Sequence, residues 1–107
     1  MKIPWTVTFH DAARNEIADL PLDLQTRLER LFALVEESGF DRLPPKATKH
    51  LDDDLWEFRV KGRDGIGRAI YVTRTGRRLV VVLVFAKKTQ KTPPRAIRLA
   101  RRRAEEM

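Results

Sequence analysis

The spacing of apolar residues changes several times along this chain, and each change marks an element. Trp5-Thr6-Val7-Thr8-Phe9 alternates apolar and polar residues, which predicts a short strand. From Asp11 the period lengthens. Ala13, Ile17 and Leu20 mark one face of a first helix, with Asp11 as its N-cap and Pro21 as its end. Leu24, Leu28, Leu31 and Val35 form the stripe of a second helix, closed by Gly39. The two helices are expected to form a hairpin whose stripes cover one sheet face. Residues 40–54, with Pro44-Pro45 and the turn Asp52-Asp53-Asp54, read as irregular.

Three strands are predicted next. Leu55 to Lys61 sends Trp56, Phe58 and Val60 to one side and Glu57, Arg59 and Lys61 to the other. Gly62-Arg63-Asp64-Gly65 reads as a hairpin connection to a strand over Ile66 to Thr73, and Thr75-Gly76 marks the next turn. Leu79 to Phe85 is apolar at both parities, so it is expected to be a central strand covered on both faces. Thr92 then offers an N-cap and Pro93 a first helical residue. Ile97, Ala100 and Ala104 form the thin apolar stripe of a last helix, among Arg95, Arg98, Arg101, Arg102 and Arg103. The expected fold class is α+β: an N-terminal helical hairpin on a curved, mainly antiparallel four-stranded sheet, with a C-terminal helix and the other sheet face partly open. Residues 1–107 read as a single domain.

Composition narrows the class. Apolar residues make up 42%, which argues against disorder. The chain has no cysteine, which removes disulfides, thiolate nucleophiles and Cys-based zinc sites and fits a reducing cytoplasm. The start, Met1-Lys2-Ile3-Pro4-Trp5, has no apolar signal core. The longest apolar run, the eight residues Leu79 to Ala86, is far short of a membrane span. Charge changes the picture more. Residues 1–58 carry seven Lys and Arg against twelve Asp and Glu, whereas residues 59–103 carry fifteen against one acid, Asp64. Such a block of cations suits a polyanion, because each phosphate neutralised releases condensed counterions.

The residues for chemistry are mostly cationic. The two histidines, His10 and His50, have no paired carboxylates at ligand spacing, so no metal and no cofactor are expected. RNA cleavage runs without either, because the 2′-hydroxyl is the nucleophile. The protein supplies a base, positive charge for the transition state and an acid for the leaving 5′-oxygen. Arg59, Lys61, Arg68, Lys87 and Lys88 lie on strands or at their ends; a solvated basic face is the plain alternative. Arg68 stands out because it shares a strand face with Ile66 and Ile70, where a charge needs a partner or a purpose. Glu57 is read first as an ion-pair partner of Arg59, with orienting and general-base roles as alternatives. Tyr71 either packs in the core or stacks on a base. His50, just before the strand that starts at Leu55, is read mainly as a surface or loop residue, with a role as base the alternative. The terminal arginines fit a nucleic-acid backbone, an acidic protein or a plain exposed helix.

Three segments in order carry a resemblance: Leu55-Trp56-Glu57-Phe58-Arg59-Val60-Lys61, Gly65-Ile66-Gly67-Arg68-Ala69-Ile70-Tyr71, and Phe85-Ala86-Lys87-Lys88-Thr89-Gln90-Lys91-Thr92-Pro93. With the helices before them, they resemble the RelE/ParE toxin superfamily, in its phage-derived HigB-like branch. The resemblance implies a RelE-like fold and the toxin of a type II toxin–antitoxin pair: a metal-independent endoribonuclease that cuts mRNA on the ribosome. It implies catalytic roles for Arg59, Arg68, Lys87 and Lys88, and RNA contacts at Lys61, Arg63, Tyr71, Lys91, Arg95 and Arg98. Gly67 stands where many relatives have an aromatic residue. The last helix lacks the tyrosine that some relatives use as base, which leaves Glu57, a lysine or His50. The implied partners are ribosome, mRNA and an antitoxin of helix-turn-helix type, with no membrane. A ParE-like inhibitor of DNA gyrase and a non-catalytic nucleic-acid-binding module are the alternatives.

Overall fold

The doubly apolar run after Arg78 becomes the strand around which the others are arranged. The computed structural model describes residues 4–107, so Met1-Lys2-Ile3 lie outside the described residues. The elements are β1 (Thr6–Phe9), α1 (Asp11–Ala18), α2 (Leu22–Ser38), β2 (Thr48–Asp52), β3 (Leu55–Gly62), β4 (Gly65–Arg74), β5 (Arg78–Lys87) and α3 (Pro94–Glu105). They build one sheet in the order β1-β5-β4-β3-β2, with β1 parallel to β5 and the remaining pairs antiparallel. Leu79 through Val84 are all buried because helices cover both faces of β5. Val82 is an extra residue in its ladder: Ile70 pairs with Leu83, but Tyr71 pairs with Val81.

Three expectations need correction. The sheet has five strands, because Thr48–Asp52, inside the segment read as irregular, pairs with β3. Its alternation is weak because, as an edge strand, it has little to bury. The two N-terminal helices do not pack chiefly on each other as a hairpin; α1 sits on β5, while α2 sits on β3 and β4. The second sheet face is not open, since Ala100 and Ala104 of α3 close a second core over Leu55, Ile70, Val72, Val80 and Val82. Small residues let the arginine-rich helix approach the sheet that closely.

Two helix starts also differ by a residue. The Nδ1 of His10 accepts from the Ala12 N–H at 3.1 Å, so His10 caps α1 and Asp11 is its first residue. Pro93 occupies the N-cap of α3 and Pro94 the first turn, because the Thr92 hydroxyl is engaged inside the molecule.

The seat of α2 explains a glycine. A Cβ on Gly67 would lie 3.0 Å from Val60 Cγ2 and 3.3 Å from Leu24 Cβ. An aromatic side chain at this position would displace α2. Under the helices, Phe32, Phe58 and Tyr71 belong to the first core, with the Phe58 and Tyr71 rings stacked at 4.3 Å. Among the described residues no helix is long and apolar enough to cross a membrane.

Burial pushes the Tyr71 phenol up to about 12, against the opposing hydrogen bond with Thr48 Oγ1 at 2.6 Å. The folded state therefore holds this proton after an unfolded tyrosine has lost its own. The resulting stabilisation is complete below pH ~10 and disappears as pH rises from about 10 to about 12. Urea titrations across this range should show an alkaline loss of about 2 kcal/mol that Tyr71→Phe lacks.

Candidate functional site

Register puts the candidate residues on one face. Arg59 lies opposite Arg68, Arg68 opposite Phe85, and Ile66 between Lys61 and Lys87 in the next row. Residues paired in this way share a face, so Glu57, Arg59, Lys61, Arg68 and Lys87 all belong to the face that α3 covers. α3 begins too late to reach the last rows. The connection from Lys88 to Pro93 crosses them instead.

Under that connection is a buried charge cluster. Glu57, Arg68 and Thr92 are buried, with no exposure at either charged residue. The Thr92 hydroxyl donates to Glu57 Oε2 at 2.6 Å and accepts from Arg68 Nη1 at 3.1 Å and Arg59 Nη2 at 3.3 Å. Arg59 Nε pairs with the other carboxylate oxygen, Glu57 Oε1. The guanidiniums also hold the crossing segment by its backbone: Arg68 donates to the Thr89 carbonyl, and Arg59 to the Gln90 carbonyl at 2.6 Å. Burial is the main cause that lowers the pKa of Arg68; Glu57 counteracts it and Arg59 adds to it. The guanidinium nevertheless stays a cation. Among the described residues, Arg68 Nε is the buried side-chain polar atom left without a partner. The ion pair read for Glu57 and Arg59 is present, and the expected partner for Arg68 is the Glu57–Thr92 pair.

Arg59 opens onto a cleft of about 530 Å³ between the Pro44–Ala47 loop, β3 and Gln90. Lys61 and Lys46 line it as well. Lys46 and Gln90 were not singled out in the sequence. Lys46 has φ 67°, which turns the loop toward β3, where the Ala47 carbonyl accepts the Arg59 N–H at 2.9 Å. The adjacent Pro44-Pro45 was the available signal. Thr92 reads from the sequence only as a cap; its place two residues after Gln90 in a basic segment gives no sign of the buried acid beneath it.

The remaining candidates are spread around this centre. Lys88 and Lys91 are exposed on the crossing segment. Lys87 lines a separate groove on the α3 side, so the basic pair shares the end of the sheet with Arg59 but not its cleft. Arg63, in the β3–β4 turn, donates its N–H to Asp23 Oδ2 at 2.9 Å. His50 packs against Trp56 with ring centres 4.9 Å apart, and its Nε2 is 2.7 Å from the Asp53 carbonyl; it does not line the cleft. Tyr71 is a core residue at 2% exposure. The terminal arginines divide. Arg101 binds Asp53 at 2.8 Å and Asp52 at 2.5 Å, and Arg103 binds Glu16 at 2.9 Å. Arg95, Arg98 and Arg102 are exposed and make no ion pair among the described residues.

A family model described as phage-derived protein Gp49-like (DUF891) matches residues 15–105, from the middle of α1 through α3, and so includes the cleft and the buried cluster. The chain belongs to this Gp49-like family. No curated protein sequence matches it. Solved structures share the fold at low identity. A free-state mutant of the Escherichia coli toxin RelE matches with a TM-score of 0.63 and 19% identity, over 94% of this chain and 97% of that one. The archaeal RelE–RelB complex of Pyrococcus horikoshii gives 0.57 and 17%, over 78% and 94%. The toxin–antitoxin complex RelBE2 of Mycobacterium tuberculosis gives 0.54 and 19%, over 83% and 98%. The Gp49-like chain thus has a RelE-like α+β fold.

Replacing Thr92 separates its methyl from its hydroxyl. Thr92→Val should destabilise the protein by about 1–3 kcal/mol in chemical denaturation, because two guanidiniums and a carboxylate lose a shared partner. Thr92→Ser should retain most of that stability.

Proposed function

We propose that this Gp49-like protein is the toxin of a type II toxin–antitoxin pair and cuts mRNA on the ribosome without a metal ion. The carrying observation is the cationic cleft of Arg59, Lys61 and Lys46, built on a strand and backed by the buried Glu57–Arg68 cluster. Family membership and the RelE-like fold support the same reading. Two of the similar structures are toxin–antitoxin complexes, which supports a cognate antitoxin, here proposed to be of helix-turn-helix type. The site of action would be the cytoplasm.

In this reading the ribosome brings the message to the cleft. The 2′-oxygen attacks the adjacent phosphorus as its proton leaves to a base. The P–O5′ bond breaks, leaving a 2′,3′-cyclic phosphate, and the 5′-oxygen takes a proton from an acid. Arg59 meets the charge that develops on the phosphoryl oxygens. Lys87, Lys88 and Lys91 hold flanking phosphates, and Lys61, Arg63, Arg95 and Arg98 extend the contact. Glu57 orients Arg59 rather than serving as base, since its carboxylate is enclosed and already bonded to Arg59 and Thr92. A lysine of the cleft is the better base. Arg68 supports the site from beneath, and it meets a phosphate only when the crossing segment lifts.

Mapping mRNA 5′ ends after adding purified protein to translating ribosomes tests this. The wild type should give discrete cuts, and Arg59→Gln should lower their rate by about 10²-fold or more. Growth arrest with intact mRNA would reject the nuclease reading and direct attention to a gyrase supercoiling assay. Intact mRNA with no arrest would leave a non-catalytic binding module.

A further inference from the structure

Past Val81, no strand among the described residues lies beside the outer edge of β5. β1 pairs with β5 only as far as Phe9 opposite Val81, and the chain then turns into α1. In an antiparallel ladder, alternate residues turn both backbone groups away from the partner strand. Val84 does so, since its N–H leaves the sheet to donate to Glu16 Oε1 at 3.0 Å. Ala86, two residues on and exposed, turns its N–H and C=O to the same side. On the same edge, the Val82 carbonyl accepts from Arg103 Nη1 at 3.0 Å, and that nitrogen also pairs with Glu16 at 2.9 Å. Glu16 and Arg103 therefore supply the acceptor and donor that a neighbouring strand would supply, and they do so only over Val82 and Val84.

This edge borders a groove of about 390 Å³ between α1 and α3. Leu83, Phe85 and Leu99 give it an apolar wall. Lys87, Arg95 and Arg102 stand on its rim, with no ion pair among the described residues. The one carboxylate in the lining, Glu16, is already paired with Arg103.

We propose that this edge receives an extended segment of a partner protein, acidic and apolar residues alternating, as an additional strand beside β5. The open backbone edge selects a main chain with its own N–H and C=O groups. The wall selects apolar side chains, and the rim selects carboxylates. An RNA strand answers only the rim. The edge from Val82 to Lys87 is about 17 Å long, which five or six extended residues match. The inference rests on this edge and its groove; it shares Lys87 and Arg95 with the phosphate contacts proposed above but needs no cleavage reaction.

A synthetic peptide alternating glutamate and valine is the probe, titrated into the full chain while backbone amides are followed by NMR. Saturable shifts along Val82–Lys87 and slowed hydrogen exchange at Ala86 are expected. Methylating every second peptide nitrogen should weaken binding at least about ten-fold, because it removes ladder donors and keeps the charge. Ala86→Pro should do the same, as its lost N–H faces outward and takes no part in pairing with β4. Arg95→Glu with Arg102→Glu should weaken the glutamate peptide and favour its lysine counterpart. Absence of edge shifts, or equal binding by the methylated peptide, would overturn the proposal. So would an oligouridylate that moves the same amides when the glutamate peptide does not.

Discussion

A carboxylate and a guanidinium with no exposed surface, Glu57 and Arg68, set the constraint around which the basic end of this protein is built. Each ion loses several kcal/mol of hydration on burial, and mutual attraction offsets that only with good geometry and filled hydrogen-bond positions. The filling comes from the crossing segment. Thr92 bridges acid and base, the Thr89 and Gln90 carbonyls take the outer guanidinium hydrogens, and Arg59 completes the carboxylate. An irregular stretch with two prolines behind it thereby acquires a defined course. The position of Lys88 and Lys91, and the near wall of the Arg59 cleft, follow from that course.

The segregation of charge along the chain has two physical meanings. Part of it is internal complement. Acids of the first half, Glu16, Asp52 and Asp53, meet Arg103 and Arg101 of the last helix. These contacts hold α3 on the sheet, although its apolar stripe is thin. Exposed pairs of this kind contribute little singly, but Arg101 spans two adjacent carboxylates, which restrict its orientation. The rest of the basic block makes no ion pair among the described residues: Lys61, Arg63, Arg77, Arg78, Lys87, Lys88, Lys91, Arg95, Arg98 and Arg102 are left without an acid.

Much of the fold was legible because burial writes a period into sequence. β5 was readable from apolar residues at both parities, β3 from clean alternation, and α2 from its stripe. What escaped had little to bury or depended on distant partners. The edge strand β2 covers almost nothing, so Lys49 and His50 stay exposed and its alternation is faint. The covering of the second face by α3 was obscured because two alanines perform it. At the site, Arg68 was legible as an anomaly, a charge among isoleucines. Its partners were not: the bond from Thr92 to Glu57 spans thirty-five positions, and no local pattern encodes it. Lys46 was hidden for the same reason, since the loop that carries it reaches the cleft only through the backbone bond from Arg59 to Ala47.

The buried cluster also limits what Arg68 can do. Its guanidinium is bonded to a hydroxyl and a main-chain carbonyl of the crossing segment. A phosphate offers oxygens of the same acceptor kind with a full charge, and charge-assisted bonds are roughly twice as strong as neutral ones. A phosphate that entered here would displace the segment's oxygens. It would also approach the Glu57 carboxylate across Thr92, in a setting with little water to screen the repulsion. Attraction to two guanidiniums and repulsion from one carboxylate thus act together. Arg59, at the cleft surface and partly hydrated, gains the attraction with less of that penalty. In the proposed reading the geometry therefore favours Arg59 over Arg68 as the first point of anion contact, and Glu57 is the charge that keeps Arg59 in place.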